Sequence, residues 1–129
     1  MNSKDLDRIA CILADAITNE VLERWEFSVD VDKDVNHNSA PQKCDMKQIR
    51  ESMRNVLLQI FQSVSLLPAL PDCAPSFEIV LYTKKETKAP DRWVETQEQQ
   101  IINQERLPLQ TFNTKIHRVE GAVYYKLDL

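Results

Sequence analysis

The side chains best suited to catalysis are few and lie far apart in the sequence. A thiol and an imidazole that could act together are Cys73, in a proline-rich segment, and His117. A cysteine–histidine enzyme also needs a group that orients the histidine and donors that stabilise the developing charge, and the residues beside this pair suggest neither. Neither His117 nor His37 is accompanied by a set of metal ligands. We therefore predict that the chain is not an enzyme and binds no metal or cofactor, with a Cys73–His117 thiol enzyme as the alternative.

Phosphate or calcium binding is not indicated either. The chain has one glycine, Gly121, which excludes a glycine-rich phosphate-binding loop. The cluster of Asp30, Asp32 and Asp34 lacks the glycine and the distal glutamate of a calcium loop. A small basic patch consists of Lys84, Lys85, Lys88 and Arg92. This patch is either a solvated loop surface or a docking point for an acidic or phosphorylated partner.

Length, charge and cysteine usage indicate a single domain. The chain has 129 residues, and its 43% hydrophobic content is enough for a core. The net charge of −4 gives no overall basic surface for nucleic acid. Cys11, Cys44 and Cys73 form no CxxC pair, which favours a reducing compartment. No apolar run approaches the roughly 20 residues of a membrane span. We expect a nuclear or cytoplasmic protein without nucleic-acid or membrane partners.

Two segments near the start are candidates for paired strands. Residues 20–31 alternate apolar and polar side chains, which predicts a half-buried strand. Its apolar face consists of Val21, Trp25, Phe27, Val29 and Val31, and its polar face of Arg24, Glu26, Ser28 and Asp30. Residues 8–14 are apolar and could pair with this strand across a turn at Thr18 and Asn19. Their spacing and local propensity, however, slightly favour a helix.

A long amphipathic helix is predicted to begin near Asp45 and to end at Pro68. Asp45 can cap its N-terminus, and Gln48 completes an arrangement like a capping box, while the proline ends it. Apolar residues recur every three or four positions, at Met46, Ile49, Met53, Val56, Leu57, Ile60, Val64 and Leu67. A polar loop, residues 32–41, precedes the helix. A stiff proline-rich loop connects it to a predicted strand at residues 77–82.

The last third of the chain is a long polar passage that ends in a predicted hairpin. Segments of this length between strands are unusual in compact domains and are often functional. Trp93 either anchors the passage to the rest of the protein or faces a ligand. The hairpin is predicted to turn at Glu120 and Gly121. It would pair Val119 with Ala122 and Ile116 with Tyr125. The order of elements predicts an α+β fold with an antiparallel sheet on one long helix.

Seven collinear stretches together resemble one family. They are residues 20–25 (EVLERW), 39–41 (SAP), 66–68 (LLP), 76–83 (SFEIVLYT), 89–93 (APDRW), 109–119 (LQTFNTKIHRV) and 124–127 (YYKL). These stretches resemble the HORMA-domain spindle checkpoint proteins, the mitotic arrest deficient-two family. The related HORMA-domain accessory protein of translesion polymerases is a poorer match, because ERW at residues 23–25 and PDRW at residues 90–93 follow the checkpoint pattern.

The resemblance implies a fold with a moving part. A body, residues 7–75, would contain the strand hairpin and the long helix, and residues 76–129 would contain an edge strand, a safety belt and a C-terminal hairpin. In that family the belt has open and closed arrangements, and closing traps a partner's peptide by strand addition while the hairpin moves across the sheet. The resemblance also implies that residues 8–14 form a strand, and we adopt this over the local preference for a helix.

The resemblance assigns site residues by position. The peptide-binding edge strand would be Ser76, Phe77, Glu78, Ile79, Val80, Leu81, Tyr82 and Thr83. The belt, from Trp93 to Leu107, and the moving hairpin, residues 108–127, would act through Trp93, Leu107, Leu109, Phe112, Ile116 and Tyr125. The face for dimerisation or regulators would be Arg54, Leu58, Gln59 and Leu66.

The implied function is that of a checkpoint adaptor. Its partners would be peptide motifs of a coiled-coil kinetochore receptor and of the activator of the anaphase-promoting complex, and its action would delay anaphase. It would work at the kinetochore, in the nucleus and in the cytoplasm. The alternatives are a form that binds no peptide and acts as an assembly subunit or competitor, and a translesion-polymerase type of HORMA accessory protein.

Two departures from the family pattern affect these expectations. The family's N-terminal part, with two helices that pack beside the long one, has no counterpart ahead of Asp7, so we expect apolar residues of the long helix to be exposed. The family's dimerisation face has an arginine where this chain has Leu58, and an aromatic residue where it has Leu66. A conformational homodimer is therefore in doubt.

Overall fold

The computed structural model describes residues 6–31, 46–70, 75–97, 100–113 and 117–127. Its elements are β1 (Leu6–Asp15), β2 (Val21–Val31), α1 (Met46–Ser63), β3 (Pro75–Thr83), β4 (Gln104–Pro108), β5 (Phe112–Asn113) and β6 (His117–Lys126). Over the described residues no helix has both the length and the apolar composition to cross a membrane. The mixture of one helix and strands confirms the predicted α+β class.

The strands form one sheet in the order β3-β1-β2-β6-β4, with β5 also paired to β6. Each neighbouring pair is antiparallel. Because β1 and β2 are joined by a tight turn while β6 arrives from the far end of the chain, the centre of the sheet combines local and long-range pairing. The two outer positions are occupied by β3 and β4.

Residues 8–14 lie in β1, so the local preference for a helix was wrong and the family resemblance was right. The strand is paired on both edges, with β2 on one and β3 on the other. Asp15 closes the turn that follows, because its carboxylate accepts hydrogen bonds from the backbone N–H groups of Ile17 (2.8 Å) and Thr18 (3.4 Å). Asn19 takes a left-handed backbone conformation, with φ of 59°. Pairing on both edges outweighs a weak helix propensity.

The long helix is confirmed and exposes much of its apolar side. It ends at Ser63, earlier than the predicted end at Pro68, and a 3₁₀ turn follows over Val64–Leu66. The capping residue Asp45 and the loop of residues 32–41 lie outside the described residues. Val56 is 7% exposed, but Leu57 is 65% and Phe61 84% exposed. The expected exposure of apolar side chains on this helix is therefore observed.

The C-terminal hairpin has a different turn from the predicted one. β6 runs without interruption from His117 to Lys126, so Glu120 and Gly121 lie inside a strand. The predicted pairs are wrong: Val119 pairs with Val29 and Phe112, and Tyr125 pairs with Glu23 and Glu105. Ile116 lies outside the described residues. Phe112 and Asn113 of β5 pair in antiparallel fashion with Val119 and Arg118 of β6.

Gly121 is required by a close approach, not by a turn. It lies opposite Phe27 in the β2–β6 register. A Cβ atom built on it would come within 2.8 Å of Phe27 Cε1 and 3.2 Å of Leu109 Cδ1. A glycine in a strand often marks such a place. The sequence alone did not distinguish this role from that of a turn glycine.

Two of the four residues on the polar face of β2 are buried, contrary to prediction, while Ser28 is half-buried and Asp30 exposed. Arg24 and Glu26 are 7% and 8% exposed, although alternation had assigned them to the solvent. The neighbouring side chains Ala10, Ile12, Val21 and Ile101 form a buried cluster against which Val80, Tyr82 and Tyr124 pack. Alternation separates the two faces of a strand, but a segment distant in sequence, here the one containing Ile101, decides whether a face is covered.

Trp25 is half-buried, so its predicted place in the core is only partly correct. Its side chain is hydrogen-bonded to a buried carboxylate. Its indole Nε1–H donates a 3.1 Å hydrogen bond to Glu23 Oε1, and Glu23 is 8% exposed. Burial raises the pKa of Glu23, and the hydrogen bond from Trp25 opposes that rise. The ionised form of Glu23 is thus less favourable in the folded protein than in the unfolded chain.

Substitution of Gly121 by alanine should destabilise the sheet. The new methyl group would overlap the Phe27 ring, and overpacking of this kind costs about 1–3 kcal/mol of unfolding free energy. Denaturant unfolding of Gly121→Ala, Phe27→Leu and the double variant measures the effect. The loss should be smaller in the Phe27→Leu background, and equal losses in both backgrounds would show that the ring is not the cause.

Glu23→Gln should stabilise the protein at neutral pH. Because the folded pKa of Glu23 is raised, the stability associated with its protonated form is complete below the ordinary glutamate pKa and is lost as the pH rises through the raised value. The variant should melt about 2–5 °C higher at pH 7, and the difference should vanish in acid. Glu105→Gln, an exposed glutamate of β4, is the control. A pH-independent difference would contradict this assignment.

Candidate functional site

The strand β3 forms one end of the sheet. Its inner edge pairs with β1, from Leu6 opposite Thr83 to Asp15 opposite Pro75. Among the described residues, no strand pairs with its outer edge. An edge of this kind presents backbone N–H and C=O groups to an incoming extended segment. The predicted edge-strand residues, 76–83, all lie in β3.

A groove lies beside the C-terminal half of β3. Its volume is about 480 Å³, and its walls include β3 residues from Ile79 to Thr83, Ile12 of β1, and the later residues Pro90, Trp93 and Val94. Lys84 and Lys85 also line it. The wall at Trp93 is shaped by a bond from the Trp93 N–H to the Pro90 carbonyl (3.2 Å). Trp93 is 44% exposed, so it faces the groove with part of its ring still accessible.

The segment after the groove crosses the sheet to its opposite end. Ile101 is 6% exposed within the buried cluster. The chain then forms β4, which pairs with β6, and the Leu127 N–H donates to the Asn103 carbonyl (3.1 Å). Leu109 is buried, and its N–H donates to the Gly121 carbonyl (2.8 Å). Residues 84–97 and 100–103, here called the crossing segment, therefore connect the two ends of the sheet over one face.

The other predicted belt positions are distributed over β4, β5 and β6. Leu107 is half-buried in β4 opposite Val123, and Phe112 is half-buried in β5 opposite Val119. Tyr125 is half-buried in β6. Together with Leu109, these side chains lie at the end of the sheet remote from β3, whereas Trp93 lies beside β3.

A polar network that the sequence reasoning missed lies under the crossing segment. Glu26 Oε1 accepts from Arg8 Nη1 (2.6 Å), and Glu26 Oε2 accepts from Arg24 Nε (3.0 Å). Arg24 Nη2 donates to Gln104 Oε1 (3.2 Å). Within the described chain no buried side-chain nitrogen or oxygen is without a hydrogen-bond partner. Opposite charges at Arg24 and Glu26, two residues apart on one face, were the signal that could have indicated it.

Two tyrosine rings complete this network. The guanidinium of Arg8 lies 4.2 Å from the centroid of the Tyr82 ring in β3, and that of Arg24 lies 4.6 Å from the Tyr124 ring in β6. Such cation–π contacts are strongest where water is excluded. The network therefore reaches from the edge strand to the C-terminal strand.

The predicted interaction face on α1 is only partly free. Leu58 is 51% and Leu66 71% exposed, and Arg54 is exposed. Gln59 is half-buried, and its Oε1 accepts a 2.6 Å hydrogen bond from the Gln110 N–H. Gln59 thus holds the chain between β4 and β5, while the other three positions face outward.

Of the candidate pair Cys73 and His117, only His117 belongs to the described residues. Burial raises the pKa of the Cys11 thiol, which lowers its reactivity. Cys73 lies outside the described residues, and His117 is half-buried in β6. In the described ranges, no three histidine, cysteine or acidic side chains are grouped in a way that could hold a metal ion.

Comparison with known proteins shows relatives along nearly the whole chain. The chain is 35% identical to the human mitotic spindle assembly checkpoint protein MAD2A over 124 residues, covering 96% of this chain and 60% of the relative. It is 36% identical to the Dictyostelium discoideum MAD2A over 126 residues, 98% of this chain and 61% of the relative. The chain thus spans about 60% of the length of these curated relatives. No family model matches it.

Solved structures show the same fold. A chain in the crystal structure of the mitotic checkpoint complex superposes with a TM-score of 0.81 at 23% identity, over 97% of this chain and 64% of the other. C. elegans HTP-1 bound to the HIM-3 closure motif superposes with a TM-score of 0.70 at 10% identity, over 95% and 62%. Over the part of them that it spans, the chain is a homologue of the MAD2 spindle assembly checkpoint proteins, and it has the HORMA fold.

Proposed function

We propose that this chain captures peptides by strand addition at the outer edge of β3. The observation that carries the proposal is that β3 ends the sheet beside a groove whose second wall is the segment from Lys84 to Gln97. An added strand gains a ladder of backbone hydrogen bonds, and alternate side chains enter pockets that select the sequence. The adaptor would bind partners and catalyse no reaction.

The C-terminal segment would control how long a peptide stays bound. In the structure β6 pairs with β2, across the sheet from β3. Hence the C-terminal hairpin does not compete for the β3 edge, and we assign this arrangement to the peptide-capturing state. Residues from Trp93 to Leu107 would be the belt, and residues 108–127 the moving hairpin. A belt that must open before release lowers the dissociation rate, the main determinant of affinity among related complexes.

The biological role follows from the relatives. They are named as spindle assembly checkpoint proteins, and one structural neighbour holds a closure motif. We assign to this chain the capture of peptide motifs from a kinetochore receptor and from the activator of the anaphase-promoting complex, which delays anaphase. Its sites of action would be the kinetochore, the nucleus and the cytoplasm. Residues 7–75 would be the body of the domain, and residues 76–129 the capturing part.

Proline in β3 should abolish capture. Adjacent residues of a strand direct their N–H groups to opposite edges, so one of Val80→Pro and Leu81→Pro removes a donor on the outer edge and the other removes a bond to β1. The variant that keeps the native circular dichroism and the native amide protection of the β1–β3 pairing has lost the outer-edge donor, and it should bind a fluorescent receptor-derived peptide at least about tenfold more weakly. Normal binding by that variant would refute the placement of the peptide.

A second candidate function is assembly through α1, favoured by the exposure of Leu57 and Phe61 one helical turn apart. The chain would then act as a subunit or competitor without capturing peptide.

Polar substitution of the α1 face should remove this association. The double variant Leu57→Gln, Phe61→Gln should keep its unfolding free energy within about 1 kcal/mol because both side chains are exposed. Dye binding and concentration-dependent sedimentation should both fall. Ile17→Gln, at a position 83% exposed outside α1, is the matched control. If the double variant still sediments and binds dye like the unchanged chain, α1 is not the interface.

A further inference from the structure

The network beneath the crossing segment joins the two ends of the sheet through one carboxylate. Glu26 accepts one hydrogen bond from Arg8 and one from Arg24, with a different oxygen for each. On one side, Arg8 lies over Tyr82, a residue that also lines the groove. On the other side, Arg24 contacts the ring of Tyr124 and the side-chain amide of Gln104, both in the C-terminal segment.

The contacts of Arg24 depend on where the C-terminal segment lies. Tyr124 belongs to β6 and Gln104 to β4, and these elements dock at the end of the sheet away from β3. The side chains of Arg24 and Glu26 are 9% and 10% exposed, whereas that of Arg8 is 39% exposed. If β4 and β6 left β2, the Arg24 guanidinium would lose both contacts and its shield from water, while its bond to Glu26 within β2 would remain.

These contacts favour the arrangement in which β4 and β6 are docked at β2 over one in which they have left it. A buried cation is tolerated only where its surroundings supply hydrogen bonds and opposite charge. Here β2 supplies the opposite charge, and the C-terminal segment supplies a hydrogen-bond acceptor and a ring face matched to the planar guanidinium. Arg106, the arginine of β4, lies opposite Tyr124 but is exposed, unlike Arg24.

We propose that Arg24, oriented by Glu26, is the positioning residue that holds β4 and β6 on β2, and that slow release of peptide from β3 depends on it. The second half of this statement rests on the proposed function. Arg24 itself does not touch the peptide. It acts by fixing β4 and β6, and β4 is the end at which the segment that crosses the sheet from the groove is anchored. Coupling of this kind is reciprocal, so bound peptide should also strengthen the docking of β6.

Amide hydrogen exchange of the chain without peptide tests the first half. In Arg24→Gln, amides of β4 and β6 should exchange at least about tenfold faster, while those at the β1–β3 pairing should change little. Arg24→Lys, which keeps the charge and loses the planar fork, should give an intermediate result. Arg106→Gln is the matched control and should exchange like the unchanged chain. Equal protection of β4 and β6 in Arg24→Gln would overturn the proposal.

Peptide release tests the second half. With a labelled receptor-derived peptide, Arg24→Gln should raise the dissociation rate at least about tenfold and change the association rate much less. A simple loss of stability would lower the active fraction without altering the release rate of bound peptide. An unchanged release rate would reject the link to capture. If the unchanged chain binds no peptide, the proposed function fails, and the exchange experiment still decides whether Arg24 positions the segment.

A second variant covers the case in which Arg24→Gln does not fold. Tyr124→Leu removes the ring from β6 and leaves the pairs of Glu26 with both arginines in place. It should accelerate exchange in β6 and peptide release in the same direction as Arg24→Gln. Tyr124→Phe, which retains the ring face, should restore the slow rates. Failure of Tyr124→Phe to differ from Tyr124→Leu would show that the stacking contributes nothing.

Discussion

The pairing of β6 with β2 is the contact on which the other features of this structure depend. It inserts the C-terminal strand between β2 and β4, and so it leaves β3 at the end of the sheet. Because β3 and β4 are then four strand spacings apart, about 19 Å, the chain that joins them must cross a face of the sheet. The crossing segment makes this connection, and its residue Ile101 is buried.

The crossing segment buries charged residues that the sequence pattern had assigned to a polar face. A face of β2 that bears an arginine and a glutamate becomes interior, and such charges are costly to bury unless they are paired. Glu26 meets this requirement by binding Arg8 and Arg24 at once. A paired buried charge contributes little net stability but penalises arrangements in which its partners are absent. The network is therefore better understood as a determinant of where the C-terminal segment docks.

The two accessible surfaces of the molecule differ in character. The outer edge of β3 is a backbone surface, with lysines at Lys84 and Lys85 and the Trp93 wall beside it, and it suits an extended peptide. The exposed side of α1 is a side-chain surface of leucine and phenylalanine, and it suits an apolar partner. Gln59 of α1 belongs to neither surface, because its side chain accepts a hydrogen bond from the Gln110 N–H within the protein.

Local pattern in the sequence was sufficient for β2, α1 and β3, because each is specified by alternation or by helical spacing and stopped by a neighbouring proline or turn residue. It failed for β1, for Gly121 and for the polar face of β2. The first depends on pairing with two partner strands, the second on contact with Phe27, and the third on a cover formed by Ile101 and its neighbours. The local sequence thus determined β2, α1 and β3 and which of their sides are apolar. Only the tertiary structure decided which edge stays unpaired and which charges are buried, since both follow from contacts between residues far apart in the chain.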